Sequence, residues 1–296
     1  MKERFGFEIY FNGDIYTGEF KNGLREGYGI YSFYYYGEIY QGEFKNDNMN
    51  GYIIEYSING FKYEGEFRNS KMEGYGFELF PDGSKYIGEF KNDKREGFGI
   101  CYSSDGGRYV GMYKNNMREG YGIYYYSNGN KYKGNFKSDI KNGYCIIYLS
   151  NGIYEVEFKN DKVEGYGIFK ISNEDKYEGE FKNNKKDGKG KYVYSNGEIY
   201  EGYFKNDKLE RYGIFHFTNG DKFEGEFING IFNGYGIFYS HLGLQVKRYF
   251  KNDFSTKILL IIYKILLLMN YLYKRSIKNK IILLFIIILI LGILIN

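Results

Sequence analysis

The stretch YEGEFRNSKMEGYGFELFPDG, residues 63–83, recurs along the chain with little change. Closely similar strings begin at Tyr40 (YQGEFKNDNMNGY), Tyr86 (YIGEFKNDKREGFG) and Tyr177 (YEGEFKNNKKDGKG). The opening element starts at steps of 22 to 24 residues, at Tyr16, Tyr40, Tyr63, Tyr86, Tyr109, Tyr132, Tyr154, Tyr177, Tyr200 and Phe223. Self-similarity at a fixed step of a few tens of residues indicates a repeat architecture.

The first five residues of the stretch alternate as in a half-buried strand. Tyr63, Gly65 and Phe67 face one side, and the two glutamates between them face the other. A glycine between two aromatic residues leaves bare backbone, which a ring from a neighbouring strand can cover. One hairpin cannot bury such rings alone, but stacked hairpins can.

The rest of the stretch completes a hairpin. The polar run from Arg68 to Glu73 is typical of a loop, and residues 74–77 (GYGF) begin a second strand. Asp82-Gly83 has the composition of a tight turn, because Gly adopts a positive φ without strain. We therefore predict an all-β fold, an elongated single-sheet solenoid of antiparallel β-hairpins over residues 1–250, followed by one or more C-terminal hydrophobic helices.

The residues that define the repeat are the aromatic residues and glycines of these two strands. We interpret them as structural residues, and in three well-preserved copies they are Tyr63, Gly65, Phe67, Gly74, Tyr75, Gly76, Tyr86, Gly88, Phe90, Gly97, Gly99, Tyr177, Gly179 and Phe181.

The pattern Y-x-G-E-F, loop, G-Y-G-I, turn resembles the MORN repeat, from about residue 4 to residue 250. Departures are local: Val156 and Arg211 replace glycines, Cys145 replaces the second Gly of a G-Y-G, and residues 173–175 replace an Asn-Gly turn. The resemblance implies a MORN-repeat array that is not catalytic, that serves protein contacts and that often forms homodimers. It also implies roles at membrane junctions, in cytoskeletal scaffolds or beside lipid kinases.

The sequence has no group of residues with the spacing of a reactive site. Gly83–Gly88 has the glycine spacing of a phosphate-binding loop, but Glu89 stands where a lysine is required. The histidines and cysteines lack companions at ligand or nucleophile spacing, and we interpret them as surface or core residues: His216, His241, Cys101 and Cys145. We therefore predict no enzyme activity, no catalytic residue, no metal and no cofactor.

The glutamate of the G-E-F element forms a row, with a basic residue two positions further on in most copies. Acids ~10 Å apart, at two strands per copy, are too distant to share one cation. We predict solvated rows that neutralise each other: Glu19, Glu43, Glu66, Glu89, Glu157, Glu180 and Glu226 with Lys21, Lys45, Arg68, Lys91, Lys159 and Lys182.

Charge is distributed unevenly along the chain. Residues 251–296 hold seven Lys and Arg and one Asp, whereas the remainder holds 34 basic and 36 acidic residues. A nearly neutral repeat region argues against nucleic-acid binding, which depends on neutralising phosphates. The N-terminal residues lack the apolar run of a signal peptide, which predicts that the repeats face the cytoplasm.

Residues 281–296 are predicted to form a transmembrane anchor. Residues 281–295 (IILLFIIILILGILI) contain no polar side chain. This run is short for a bilayer core of ~30 Å, which prefers about 20 residues, but a lysine that snorkels upstream can extend it. The anchor residues are Ile281, Leu284, Phe285, Ile288, Leu291 and Ile295.

Residues 251–280 are predicted to form a basic, amphipathic helical linker. Three interpretations of residues 258–273 stay open: a helix lying in the membrane interface, a second span that buries Lys264, or a cap on the open edge of the sheet. The membrane-proximal basic residues are Lys257, Lys264, Lys274, Arg275, Lys278 and Lys280.

With a single span, the basic linker marks the cytoplasmic side, so the repeats face the cytoplasm and the protein is tail-anchored. The sequence thus predicts a non-enzymatic, membrane-anchored scaffold. Its repeats bind protein partners, and its C-terminal segment contacts membrane lipid. The alternatives are a regulator that binds phosphoinositides or other anionic lipids, and an accessory subunit of a kinase acting in trans.

Overall fold

The computed structural model describes residues 4–243 and 245–253, and all regular elements in this part are strands. They are β1 (Arg4–Ile9), β2 (Ile15–Lys21), β3 (Leu24–Phe33), β4 (Glu38–Lys45), β5 (Asn48–Ser57), β6 (Lys62–Arg68), β7 (Lys71–Leu79), β8 (Lys85–Lys91), β9 (Lys94–Tyr102), β10 (Arg108–Lys114), β11 (Met117–Tyr125), β12 (Lys131–Lys137), β13 (Ile140–Leu149), β14 (Gly152–Lys159), β15 (Lys162–Ile171), β16 (Lys176–Lys182), β17 (Lys185–Val193), β18 (Ile199–Lys205), β19 (Lys208–His216), β20 (Lys222–Ile228), β21 (Ile231–Tyr239) and β22 (Gln245–Asp253).

The strands belong to two compact units. The first holds the described residues up to Glu174 together with Phe181–Asn184, and the second holds Asp175–Glu180 and the described residues from Lys185 onward. In the first unit, each strand from β1 to β14 pairs antiparallel with the next along the chain, up to the pairing of β14 with β15. In the second, β17 to β22 pair in the same way. The prediction of an all-β fold of antiparallel hairpins is confirmed.

The predicted C-terminal helices fall largely outside the described residues. The last strand, β22, extends to Asp253, so it includes the first residues of the predicted linker. The rest of the linker and the whole predicted anchor, residues 254–296, are not among the described residues. Within residues 4–243 and 245–253 there is no helix long and apolar enough to cross a bilayer.

The loop predicted from Arg68 to Glu73 is wrong. Strand β6 ends at Arg68 and β7 begins at Lys71, so only Asn69 and Ser70 connect them. Both connecting residues have positive φ, 51° and 61°. Two successive positive φ values give a type I′ turn, whose twist matches that of the paired strands. The same turn recurs at Asn46-Asp47, Asn92-Asp93, Asn115-Asn116, Ser138-Asp139, Asn160-Asp161, Asn183-Asn184 and Asn206-Asp207.

The turn predicted at Asp82-Gly83 is present at the other end of the hairpins. It lies between β7 and β8, and the backbone N–H of Gly83 donates to the carbonyl oxygen of Phe80 at 2.9 Å. Only the glycine takes a left-handed conformation, with φ of 83°. The connections from β6 to β7 and from β7 to β8 therefore use different turns. The short type I′ turn sets the pairing register of β6 and β7.

In most copies the opening tyrosine lies over two glycines that face each other across a strand pair. Gly88 of β8 is opposite Gly99 of β9, and a methyl group added to either would overlap the Tyr86 side chain. The Tyr86 hydroxyl donates to the carbonyl oxygen of Glu89 at 3.1 Å, and the ring is fully buried. The predicted ring over bare backbone is present, with the ring coming from the same strand for one glycine and from the neighbouring strand for the other.

These tyrosines form an aromatic ladder with the phenylalanine or tyrosine four residues later. The Tyr63 ring meets Phe67 edge-on at 5.4 Å and Phe90 of the next copy at 5.2 Å. Tyr86 likewise contacts Phe90 at 5.2 Å and Tyr113 at 5.1 Å. In the second unit, Tyr200 contacts Phe204 and Phe227 at 5.2 and 5.0 Å. Each edge-to-face pair contributes about 0.5–1.5 kcal/mol beyond burial, so these contacts join neighbouring copies within each unit.

Three copies in which a glycine is replaced show what the ladder requires. Ile53 lies opposite Gly42, and there the Tyr40 hydroxyl donates to the Glu38 carboxylate at 3.3 Å. Val156 replaces the first glycine of its copy, and there Tyr154 stacks on Phe169 with ring centroids 3.6 Å apart. Both tyrosines are only partly buried, although their hairpins are intact.

Cys145 is a milder replacement of the same kind. It lies opposite Gly134, and the Tyr132 hydroxyl still donates to the carbonyl oxygen of Asn135 at 2.8 Å. Substitution by a branched side chain thus moves the ring without breaking the strands, and substitution by cysteine leaves the ring in place.

Candidate binding surface

The structure divides the predicted repeat-defining residues among three positions. The buried rings of the ladder are Tyr63, Phe67, Tyr86, Phe90, Tyr177 and Phe181. The glycines next to these tyrosine rings are Gly65, Gly76, Gly88, Gly99 and Gly179. Gly74 and Gly97 have φ of 65° and 63° and form bulges, while Tyr75 lies on the opposite face with 67% of its surface exposed.

The glutamate of the G-E-F element holds the bulge in place. Pairing of β8 with β9 shifts register between Gly88 and Phe90, and the Glu89 carboxylate accepts the backbone N–H of Phe98 at 3.0 Å. A methyl group at Gly97 would lie 2.5 Å from Glu89 Oε2, so only glycine fits beside this carboxylate. The prediction of a solvated acid–base row is wrong for Glu89, because its carboxylate serves the backbone.

Lysines at other positions of the repeat also form ion pairs. Lys62, just before the opening tyrosine, pairs with Glu64 at 2.8 Å. Lys176 pairs with Glu178 at 2.9 Å in another copy. These pairs are partly exposed, so each contributes only ~0–1 kcal/mol.

The bulge turns the middle aromatic residue of each G-Y-G to the face opposite the ladder. We call these residues the exposed aromatic row. They are between 47% and 67% exposed: Tyr28, Tyr52, Tyr75, Phe98, Tyr121, Tyr144 and Tyr166 in the first unit, and Tyr212 and Tyr235 in the second. Repeated exposure of large aromatic side chains on one face is typical of a surface that binds other macromolecules.

Several hydroxyls of the exposed aromatic row are fixed by polar neighbours. The Tyr52 hydroxyl donates to Glu64 Oε1 at 2.5 Å, and the Tyr28 oxygen accepts from Gln41 Nε2 at 2.7 Å. The hydrogen bond to the Glu64 carboxylate, with burial, raises the pKa of Tyr52 to about 12. Tyr52 therefore offers a neutral, oriented ring to a partner.

The type I′ turns join each copy to the one before it. The backbone N–H of Asp139 donates to the carbonyl oxygen of Arg118 at 3.0 Å. In return, Asp139 Oδ1 accepts from the Arg118 N–H at 3.0 Å and from its Nε at 2.8 Å. In other copies too, a side-chain oxygen of the second turn residue accepts a backbone N–H of the preceding copy. The acceptor and donor residues are Asp47 and Arg25, Ser70 and Met49, Asp93 and Met72, Asn116 and Arg95, Asp161 and Lys141, Asn184 and Val163, and Asp207 and Lys186.

Cys145 and His241 lie in surroundings that suit a role in the fold. Burial raises the pKa of the Cys145 thiol to about 12, which keeps it protonated and unreactive at neutral pH. His241 Nδ1 lies 2.8 Å from Oδ1 of the buried Asp221, in the loop before β22. Residues 4–243 and 245–253 contain no group of three or more His, Cys, Asp or Glu side chains that could hold a metal ion.

Two acids lie unexpectedly on the ladder side of the sheet. Glu78 is 8% exposed and pairs with Arg95 at 2.7 Å. Glu55, on β5, has Glu38, Glu78 and Asp93 as its charged acidic neighbours. The pKa of Glu55 is raised to about 7, mainly by burial; the neighbouring carboxylates add to the shift, and a hydrogen bond with Tyr40 opposes it.

Replacing Asp139 with Gly will remove the side-chain bond while keeping the left-handed turn that glycine adopts freely. We expect the free energy of unfolding to fall by ~1–2 kcal/mol, the low end for a hydrogen bond to a charged acceptor, because this one is exposed to solvent. Asp139→Asn is the matched control, because Asn116 accepts the same bond from Arg95 at 2.8 Å. Urea unfolding measures both variants, and equal losses would contradict the role of the side-chain oxygen.

The raised pKa of Glu55 predicts a pH-dependent stability. An acid whose pKa is higher in the folded than in the unfolded chain favours folding below its unfolded value, near 4.5, and loses this contribution as pH rises to about 7. We therefore expect stability to decline between these values, and Glu55→Gln to flatten the decline. Urea midpoints measured across this range test it, and an unchanged slope in the variant would contradict it.

No curated protein matches the chain. Among solved structures, the SAS-4 (dCPAP) TCP domain of Drosophila melanogaster, in complex with a proline-rich motif of Ana2 (dSTIL), is 15% identical with a TM-score of 0.33, covering 57% of this chain and 85% of that one. The wild-type TCP10 domain of Danio rerio CPAP is 10% identical with a TM-score of 0.24, covering 83% and 99%.

A third similar structure is virginiamycin B lyase from Staphylococcus aureus. It is 13% identical with a TM-score of 0.15, and the match covers 84% of this chain and 85% of that one. TM-scores this low support no statement about the fold or function of this chain.

The MORN repeat model matches residues 16–34, 40–52, 63–85, 86–108, 109–131, 132–154, 154–176, 177–199, 200–222 and 223–241. Nine of these segments begin at the opening tyrosine of a copy and the last begins at Phe223, and together they cover more than half of the chain. The chain therefore belongs to the MORN repeat family.

Proposed function

We propose that this protein is a non-enzymatic scaffold that binds protein partners on the face of the exposed aromatic row and is held at a membrane by residues 281–295. The observation that carries the proposal is the row itself. In several copies a glycine at positive φ and a glutamate carboxylate that accepts a backbone N–H turn one ring outward, at Tyr28 and Phe98 for example. Tyrosine is enriched at protein interfaces, where its rigid ring supplies contact area.

The other polar groups of the repeat support a structural array more than a reactive one. The carboxylates of Glu89 and Asp139 accept backbone N–H groups, and the Tyr86 hydroxyl donates to a backbone carbonyl. Groups used in this way are not free to act as bases or nucleophiles. A scaffold, or an accessory subunit that positions a separate enzyme, needs only the surface that these groups hold in place.

Direct binding of anionic lipid by the repeats is the second candidate. Lys62, Lys176 and Lys222 each pair with a glutamate two residues later, which reduces the positive potential available to a headgroup. Protein contact through the exposed aromatic row therefore has the stronger support. Membrane attachment rests on the apolar sequence of residues 281–295, and the basic linker before it favours repeats that face the cytoplasm.

Carbonate extraction of membranes tests the anchoring. We expect the full chain to resist extraction and a version ending at Asp253, where β22 ends, to be released. The variant Ile288→Arg keeps the full length but places a charge in the middle of the apolar run, at a cost of ~2.5–3.5 kcal/mol, so it should be released at least in part. A full chain that washes off, or a truncated chain that resists, would contradict the membrane part of the proposal.

A further inference from the structure

Two consecutive copies differ from most others at a position on the face opposite the ladder. The residue after the opening aromatic residue is a glutamate in five copies: Glu64, Glu155, Glu178, Glu201 and Glu224. In the copies that begin at Tyr86 and Tyr109 it is Ile87 and Val110. The second of these copies also has Met112 in place of the glutamate of the G-E-F element. Charged side chains are thus replaced by apolar ones in one part of the first unit.

The register of the strands places these residues in one line. Phe77 is opposite Ile87, Ile87 opposite Ile100, Ile100 opposite Val110, and Val110 opposite Ile123. We call these five residues, on β7 to β11, the apolar strip. None of them belongs to the fully buried core, and Ile87 is 45% exposed. Charged residues end the line on both sides, with Glu64 opposite Phe77 and Lys133 opposite Ile123.

Large exposed side chains border one side of the apolar strip. They are Tyr75, Phe98 and Tyr121 of the exposed aromatic row together with Met112, with exposed fractions of 67%, 47%, 57% and 43%. Met112 lies directly opposite Phe98 in the pairing of β9 with β10. Apart from Glu89, which lies opposite Tyr75 and accepts the backbone N–H of Phe98, this border continues the apolar surface of the strip.

Cations and tyrosines alternate along the other side, which we call the basic flank. Lys85 is opposite Tyr102, which is opposite Arg108, and the alternation continues through Tyr125 to Lys131. The Lys85 ammonium lies 4.8 Å from the centre of the Tyr102 ring, and the Arg108 guanidinium lies 4.3 Å from that of Tyr125. The rings hold the charges at the edge of the strip, where an incoming carboxylate can reach them.

We propose that the apolar strip binds an amphipathic helix of a partner protein, with its apolar side on the strip and acidic residues at about every seventh position along the basic flank. This deepens the proposed function, on whose partner-binding half it rests. A helix is one of the elements that cover the apolar face of a sheet in folded domains. The acidic edge follows from the charge of Lys85, Arg108 and Lys131, because within residues 4–243 none of the three forms an ion pair with a carboxylate.

The dimensions of the strip fit a helix. Four residues along a strand separate the two borders, from Tyr121 to Tyr125 for example, which is ~14 Å and close to the ~10–12 Å diameter of a helix. The step from one cation to the next is two strands, ~9.6 Å, and seven residues of helix rise ~10.5 Å. The line from Phe77 to Ile123 crosses five strands, ~19 Å, which is the length of about 13 helical residues.

The charge of the basic flank favours a helix of a partner protein over the C-terminal part of this chain. The spacings between Lys257, Lys264 and Lys278 are also multiples of seven residues, but these side chains are basic. A helix with those residues would bring positive charges against Lys85, Arg108 and Lys131. The basic flank therefore selects an acidic edge, which another protein must supply.

Selection of peptides against the full chain, held in nanodiscs of phosphatidylcholine, tests the proposal. The library displays 18-residue peptides with a fixed apolar heptad seam and random residues elsewhere. We expect enrichment of peptides with Asp or Glu at seven-residue spacing, and we then measure their binding by fluorescence anisotropy. The variant Ile87→Glu with Val110→Glu should bind them at least about tenfold more weakly, because it places two carboxylates in the apolar contact.

The matched control carries the same change at the same repeat position outside the strip, Thr17→Glu with Gln41→Glu. Because five copies already hold glutamate at this position, both double variants should keep the circular dichroism spectrum and melting temperature of the parent chain. The control should bind the peptides as the parent does. Arg108→Glu should weaken acidic peptides and favour peptides with lysine at the seventh position.

Four results would overturn the proposal. In the first, the selection enriches no peptide, and in the second, the enriched peptides lack the acidic spacing. In the third, the strip variant and its control bind equally well. In the fourth, the strip binds a different occupant. The last would show as dimers in sedimentation velocity, or as binding to anionic vesicles, that the strip variant alone loses. Carbonate extraction is independent of these measurements, so rejection of the strip leaves the test of the anchor intact.

Discussion

The tyrosine ring lying over a pair of cross-strand glycines is the contact on which the rest of the structure depends. Tyr86 covers Gly88 and Gly99, so two adjacent strands can have no side chain beneath it. The ring then reaches the aromatic residues of its own copy and of the next, Phe90 and Tyr113. A single antiparallel sheet gains an interior in this way without a second layer, because the covering layer is made of its own aromatic side chains.

The same constraint produces the surface that we propose for binding. With the ladder face occupied by rings, the bulge at Gly97 and the Glu89 carboxylate direct Phe98 to the other face. The ladder does not restrict that face, so its residues can differ between copies at little cost to folding. The exchange of glutamate for Ile87 and Val110 uses this freedom, and it converts a charged position into part of an apolar contact surface.

Three features could be predicted because each depends on residues that are close in sequence: the repeat, the alternation of Tyr63 with Phe67, and the turn at Gly83. The type I′ turn at Asn69-Ser70 was missed, since the flanking residues are polar and owe their strand conformation to backbone pairing. The Glu89 bond to the backbone depends on a register shift that no local pattern reveals. Ile53, opposite Gly42, was a readable signal of a displaced ring that the sequence analysis did not use.

Native-state hydrogen exchange of Gly99→Ala, with Gly6→Ala as control, tests the central claim most directly. A methyl group at Gly99 would overlap the Tyr86 ring, whereas one at Gly6 would lie 3.6 Å from Phe20, an ordinary contact. We predict that Gly99→Ala lowers the protection of amides in β8 and β9 by ~1–3 kcal/mol, as overpacking does, and that Gly6→Ala changes protection in β1 and β2 by less than ~1 kcal/mol. Equal effects at the two sites, or full protection in Gly99→Ala, would contradict the account.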